Sequence, residues 1–190
     1  MRASPNSALV PMELQEHILS FLCTPKERDL FFLWTTVRNV SNAFRSIVDS
    51  LVRKRHLKYT SIHYDLGSEY HEDDETDITE KEDFSIQFVF DRTLSANPNI
   101  AVFKAEVIDE EKQHMKDLLI LAGADEYNNE DNIEAPPHTI FIRHACNDTE
   151  LPKYSIDLES FEVSCDWKGL FTAFCYEGKL QSTFDRRHVS

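Results

Sequence analysis

Glycine is scarce in this chain: only Gly67, Gly123, Gly169 and Gly178 occur among its 190 residues. Loops that bind nucleotide phosphates need closely spaced glycines, because the backbone must approach the phosphate without side chains in the way. No two of the four glycines are close enough for a Rossmann fingerprint or a phosphate-binding loop. The sequence therefore argues against most nucleotide-dependent chemistry, and we expect no cofactor.

Cysteine is also infrequent and is not patterned. Cys23, Cys146, Cys165 and Cys175 include no Cys-x-x-Cys pair and do not resemble a disulfide framework. Free thiols are typical of proteins in reducing compartments. We therefore expect four unpaired cysteines in an intracellular protein.

Long apolar runs are absent from the sequence. A membrane-spanning helix needs about 20 consecutive apolar residues, and no stretch approaches that length. Near the N-terminus, Pro11 and Glu13 interrupt the one apolar run, so we expect no signal peptide. These absences predict a cytoplasmic or nuclear protein that does not enter a membrane.

Positive charge is in short supply after the first third of the chain. The whole sequence has 34 acidic residues against 20 Lys and Arg, for a formal charge of −14. Up to Lys58 there are 9 basic and 5 acidic residues, whereas the remaining 132 residues carry 11 basic and 29 acidic. This asymmetry indicates a modular chain, and most of it would repel a polyanion such as DNA.

The segment PMELQEHILSFL, residues 11 to 22, predicts a helix with an unusually wide apolar surface. Two stripes run along it: Leu14, Ile18, Phe21 and Leu22 form the first, and Met12, Leu19 and Cys23 form the second beside it. A surface helix needs an apolar arc of only a little over about 100°. One stripe is enough for a core, and the second is a candidate docking face.

Two more helices are predicted before residue 58. One follows Pro25 and contains LFFLW after Asp29; the other has apolar residues at helical spacing from Val40 to Val52. The third helix ends in the basic run VRKRHLK, residues 52 to 58. We expect a frayed tail over residues 1–8 and a helical segment over residues 9–58.

The remainder, residues 59–190, predicts an α+β domain with a mainly antiparallel sheet and two helices. Strands are expected at 59–65, 84–91, 100–108 and 138–146, with one or two more in 154–165. Helices are expected at 110–122 and after Asp166 as N-cap, the last ending at Gly178. The segment 67–83 is so acidic that we expect a solvated loop.

The N-terminal segment resembles an F-box, over roughly residues 9 to 55. The resemblance is carried by Pro11-x-Glu13-Leu14, Ile18-Leu19-Ser20-Phe21-Leu22, Asp29-Leu30 and Val40-Ser41-x-x-Phe44-Arg45. The sequence departs from the family in having Val10 where a Leu is usual. It also has about one extra helical turn between Asp29 and Val40. The rest of the chain, with HTIFIR, NDTELP and DWKGLF, is similar to short fungal-type F-box proteins.

This resemblance implies that the chain is a substrate-recruiting adaptor of a cullin-RING (SCF-type) ubiquitin ligase. The implied partners are a Skp-family adaptor protein, a cullin scaffold bound through it, and a client protein held by the α+β part. The residues expected to bind the Skp-family protein are Pro11, Leu14, Ile18, Leu19, Leu22, Leu30, Val40 and Phe44. Some of these must instead pack the three helices together, and the sequence does not divide the set.

Other functions remain open at the level of sequence. Both stripes could be covered by the rest of the chain, leaving an F-box relic or an interaction domain with another partner. His138, His144 and Cys146 would share one face of a single strand, which suggests a metal site or, more simply, a core face. Cys146 or Cys165 could serve as the nucleophile of a small enzyme. The basic run could be a nuclear import signal, and the acidic segment could steer a basic partner.

Overall fold

The computed structural model describes residues 10–73, 78–123 and 138–185, and their side chains except those at 69–73, 78–82 and 177–185. The chain divides into two compact units, Met1–Arg55 and His56–Ser190. The division falls three residues before the expected end of the helical segment at residue 58. The expected tail over residues 1–8 lies outside the described residues.

The first unit contains the three predicted helices. They are α1, Met12–Leu22; α2, Glu27–Thr35; and α3, Asn42–Arg55. Each helix contributes to a buried apolar set, which comprises Leu19, Cys23, Leu30, Leu33, Trp34, Ile47, Val48, Leu51 and Val52. The extra residues between Asp29 and Val40 are accommodated by a short 3-10 turn, Val37–Asn39, between α2 and α3.

The second unit is a seven-stranded antiparallel sheet with two helices, so the predicted α+β fold class is confirmed. In chain order the elements are β1, Thr60–Asp73; β2, Ile78–Thr93; β3, Ile100–Lys104; α4, Lys112–Leu121; β4, His138–Ile142; β5, Ala145–Asn147; β6, Ser155–Asp157; β7, Glu162–Asp166; and α5, Trp167–Asp185. The strand order is β5-β4-β1-β2-β3-β7-β6. β1 and β2 are the longest strands, with 14 and 16 residues, and the two strands at the ends of the sheet have three residues each.

One face of the sheet forms the core of the second unit. Ile62 on β1 lies opposite Phe88 on β2 and Ile140 on β4, and all three side chains are fully buried. Their neighbours His63 and Gln87 point to the other face and remain in contact with solvent. This alternation is the one that the sequence FSIQFVFD predicts.

The expectation of an acidic loop over residues 67–83 was wrong for the described residues. β1 runs on to Asp73 and β2 begins at Ile78, and the two strands pair in register from Asp73↔Ile78 back to Ser61↔Val89. A β-bulge between Asp65 and Gly67 shifts that register by one residue. Cross-strand hydrogen bonds satisfy the backbone here, so charged side chains do not prevent strand formation.

The segment 138–146 is two strands and not the single strand that we expected. β4 ends at Ile142, and a turn at residues 143–144 leads into β5, where Ala145 pairs with Ile142. Arg143 adopts the left-handed conformation, with φ of 61°, and its N–H donates to the carbonyl of Tyr59 at 3.0 Å. Its guanidinium lies 4.1 Å from the centre of the Tyr59 ring, and these contacts offset the backbone strain.

The last helix begins as predicted and extends further than expected. The carboxylate of Asp166 accepts hydrogen bonds from the backbone N–H groups of Lys168 and Gly169, which confirms it as the N-cap. Gly178 does not end the helix, because α5 continues to Asp185. An isolated glycine weakens a helix by about 1 kcal/mol but does not have to stop it.

A buried polar cluster lies on the core face where β1 meets β4. His138 is 4% exposed, and its Nε2 lies 3.1 Å from the carbonyl oxygen of Thr149. The Tyr64 ring is centred 5.4 Å from the imidazole, and the Tyr64 hydroxyl bonds that of Tyr154 at 2.9 Å. Burial lowers the pKa of His138 to about 4, against the opposing effect of its hydrogen bond to Thr149.

This cluster predicts an acid-sensitive fold. Since the pKa of His138 falls from an ordinary 6.5 to about 4 on folding, the folded state favours the neutral imidazole. Stability from this residue is therefore fully present above pH 6.5 and decreases by roughly 2–3 kcal/mol as the pH falls to 4. Urea unfolding of the wild type and of His138→Gln at pH 7 and pH 4.5 would measure it. Between pH 7 and pH 4.5 the variant should lose less stability than the wild type. Equal losses would mean that His138 is not the source of the acid sensitivity.

Candidate protein-docking site

The first stripe of α1 faces solvent. Leu14 is 48% exposed, Ile18 52%, Phe21 69% and Leu22 39%. At 3.6 residues per turn these four side chains occupy an arc of about 100° along the helix. Large apolar side chains that remain together in solvent are characteristic of binding surfaces.

The second stripe is largely interior, which reverses the expected division. Leu19 and Cys23 are buried, with 7% and 5% exposure, whereas Met12 at the start of the helix is 52% exposed. The stripe that we took as the candidate docking face therefore supplies the core contacts of α1. The stripe of Leu14, Ile18, Phe21 and Leu22 is the one available to a partner.

The predicted partner-binding residues accordingly fall into two groups. Pro11, Leu14, Ile18, Leu22 and Val40 are exposed, and Phe44 is half-buried. The other two are corrections: Leu19 and Leu30 are buried, so their side chains cannot reach a partner without opening the helical core. We remove both from the candidate site.

Among the described residues of the helical unit, the large exposed apolar residues outside the predicted binding set are Val10, Met12, Phe21 and Phe32. Phe21 belongs to the first stripe of α1, and Phe32 belongs to the LFFLW segment of α2. Phe32 is 48% exposed, since Leu30, Leu33 and Trp34 supply the buried side of α2. The spacing of those three residues is the sequence signal that leaves Phe32 on the opposite side.

Polar contacts with α3 fix the orientation of α1. The guanidinium of Arg55 donates to the carbonyls of Ser20 at 2.8 Å and Cys23 at 3.3 Å, at the C-terminal end of α1. Lys54 forms an ion pair with Glu16 at 3.4 Å. Cationic donors suit the carbonyl groups at the C-terminal end of a helix. These bonds hold the side of Leu19 and Cys23 against the helical core, and the first stripe is left outward.

A second ion pair supports the loop that presents Val40. Arg38 lies 2.7 Å from Asp49 of α3, and its guanidinium is centred 4.4 Å over the ring of Trp34. Both charged side chains are largely shielded, which strengthens their attraction relative to a surface pair. Val40 follows directly and is 65% exposed. The exposed apolar side chains thus lie on elements that polar contacts hold in place, which is suited to binding.

The suggested metal site is not assembled. The turn at Arg143 separates His138 from His144 and Cys146, so the three residues do not share one strand. Among the described residues, no group of three or more His, Cys, Asp or Glu side chains could hold a metal ion.

The two cysteines suggested as nucleophiles differ in their exposure to solvent. Cys165 is fully buried on β7, and burial raises the pKa of its thiol to about 12. A thiol with so high a pKa stays protonated at neutral pH and is a poor nucleophile. Cys146 is exposed on β5.

Comparisons of the chain with protein-family models, with curated proteins and with solved structures found no match. No helix in the described ranges combines the length and the apolar character needed to cross a membrane.

The division of α1 into an inner and an outer face predicts unequal effects of two matched substitutions. Leu19→Ala should lower the free energy of unfolding by about 2–4 kcal/mol, because it leaves a cavity in the core. Ile18→Ala should change it by less than about 0.5 kcal/mol, because that side chain has few internal contacts. Chemical denaturation of both variants beside the wild type measures the difference. Equal destabilisation would mean that Ile18 is also a core residue.

Proposed function

We propose that this chain is a non-catalytic adaptor of a cullin-RING (SCF-type) ubiquitin ligase. Its N-terminal helices would dock a Skp-family adaptor protein, and the α+β unit would hold a client. The observation that carries the proposal is the exposed apolar face of α1, formed by Leu14, Ile18, Phe21 and Leu22. We call it the α1 face.

The α1 face has the physical character that such docking requires. Burying one large apolar side chain completely is worth roughly 1.5–3 kcal/mol, so covering a half-exposed one yields about 1 kcal/mol. Four such side chains together supply several kcal/mol. Part of that offsets the loss of translational and rotational freedom on association. An amphipathic helix covered by the helices of a partner is a common mode of recognition.

The resemblance and the exposure agree on several positions. Pro11, Leu14, Ile18 and Leu22 belong to the segment that resembles the start of an F-box, and all four are exposed. Their exposure supports docking, because α2 and α3 leave this stripe of α1 uncovered within the helical unit.

The proposed activity is to bring a client protein close to the ligase. No bond is made or broken by this chain. A client held on the α+β unit and a ligase held through the N-terminal helices form one complex, which raises the effective concentration of the client's lysines near the ligase.

A pull-down against a purified Skp-family adaptor tests the proposal. The double variant Leu14→Asp, Ile18→Asp places two carboxylates on the α1 face, and we expect it to abolish binding, because those charges would be desolvated in the interface. The matched control is Ile108→Asp, Leu121→Asp, which adds the same charge at exposed apolar positions of the other unit. The control should bind like the wild type.

Circular dichroism on all three proteins checks that each is folded. A folded wild type that does not bind would refute the proposal. Equal binding by the wild type and the α1-face variant would show that the contact lies elsewhere on the chain.

A further inference from the structure

β2 is longer than the strand beside it. It pairs with β3 only over Val89–Thr93, whereas it pairs with β1 from Ile78 to Val89. Over residues 84–88, β2 therefore has a neighbouring strand on one side only, within the part of the chain that the structure describes. The backbone N–H and C=O groups on such an edge can pair with another extended segment.

In the described part of the chain, this side of β2 has no strand beside it because the chain turns away from β2 where β3 ends. The last β3 residue, Lys104, lies opposite Val89 of β2. The backbone N–H of the next residue, Ala105, bonds towards β7. The N–H of Ala105 donates to the carbonyl of Phe161, 3.0 Å away beside β7. The following residues diverge from β2, and a gap opens between the two.

This gap is a concavity of about 400 Å³. β2 contributes Ser85, Gln87 and Val89 to one side of it, and the chain after β3 contributes Glu106 and Val107 to the other. α4 adds Glu111 and Met115. Val89, which is 49% exposed, gives the groove apolar surface together with Val107 and Met115. The charged side chains beside that surface are Glu106, Glu111 and Lys104.

The charge around the edge identifies the complementary partner. Residues 59–190 carry 29 acidic and 11 basic residues, and just before the edge β2 contains Glu80, Glu82 and Asp83 with one lysine, Lys81. Of the groove residues, Glu106 and Glu111 are acidic and Lys104 is basic. A basic segment would be attracted to this edge and an acidic one repelled.

We propose that the edge of β2 over residues 84–88, with the adjoining groove, binds an extended basic segment of a partner protein as an added strand. Alternate side chains of the segment would face the apolar surface of Val89, Val107 and Met115. Lysine or arginine side chains would meet Glu106 and Glu111. Main-chain hydrogen bonds supply the affinity in this mode of recognition, and the side-chain pockets supply the specificity. Naming the partner as the client rests on the proposed function; binding of the segment does not require the ligase.

Fluorescence anisotropy with a labelled peptide tests this mode of binding. The probe is the seven-residue peptide Lys-Val-Lys-Val-Lys-Val-Lys, which is compared with its Glu-Val counterpart and with a form methylated on alternate backbone nitrogens. The methylated peptide keeps the charge but cannot pair along a strand edge. We expect binding by the first peptide alone, weakening as salt rises.

The groove is tested with two double variants of equal charge change. Glu106→Lys, Glu111→Lys should weaken binding about ten-fold or more, which corresponds to about 1.4 kcal/mol. Glu110→Lys, Glu150→Lys changes two exposed carboxylates outside the groove and should leave affinity within about three-fold of the wild type.

Three results would overturn the inference: no binding of the Lys-Val peptide, equal binding of the methylated form, or equal loss in the two double variants. The second would mean that the acidic surface attracts cations without strand pairing. None of these results bears on the Skp-family pull-down, which uses no peptide. Failure of docking would likewise leave the peptide measurement unchanged.

Discussion

A helix that packs against its neighbours along one stripe can bury that stripe and little else, and this limit governs the N-terminal unit. α1 carries two apolar stripes, but α2 and α3 can cover only the side of Leu19 and Cys23. Arg55 fixes that choice by bonding the carbonyls at the end of α1. The remaining stripe stays in solvent as a geometric consequence, and its four large side chains are the basis of the proposed docking.

The two units bury their apolar side chains in different ways. In the second unit, long central strands bury one face of the sheet, and residues such as Phe88 and Ile140 are fully enclosed. Its other face carries polar residues such as His63 and Gln87 beside Val89 and Phe141, and binding at the edge of β2 would depend on backbone groups and on charge. In the first unit, binding would depend on apolar area. The chain would thus combine one binding surface whose affinity depends weakly on salt with another whose affinity falls as the salt concentration rises.

Sequence periodicity was sufficient for the fold class and for most helices and strands, because local pattern reflects which side of an element is buried. It failed where the conformation depends on contacts between residues that are far apart in the sequence. Arg143 has no turn signature, and its left-handed conformation is maintained by Tyr59, 84 positions earlier. The acidic halves of β1 and β2 resembled a loop, yet their pairing continues a register set far along the hairpin. The two stripes of α1 were visible in the sequence. Which one faces solvent depends on how α1 packs against α2 and α3, where Arg55, more than thirty residues away, bonds the end of α1.

The α1 face also bears on the amount of this protein that a cell would hold. Apolar side chains grouped in solvent are the feature by which chaperones and proteases distinguish unassembled subunits from assembled ones. Phe21, at 69% exposure, would mark the uncomplexed chain for removal. Under the proposed docking, the steady-state abundance of the chain would follow the supply of the Skp-family protein, because chain made in excess of that partner would be removed.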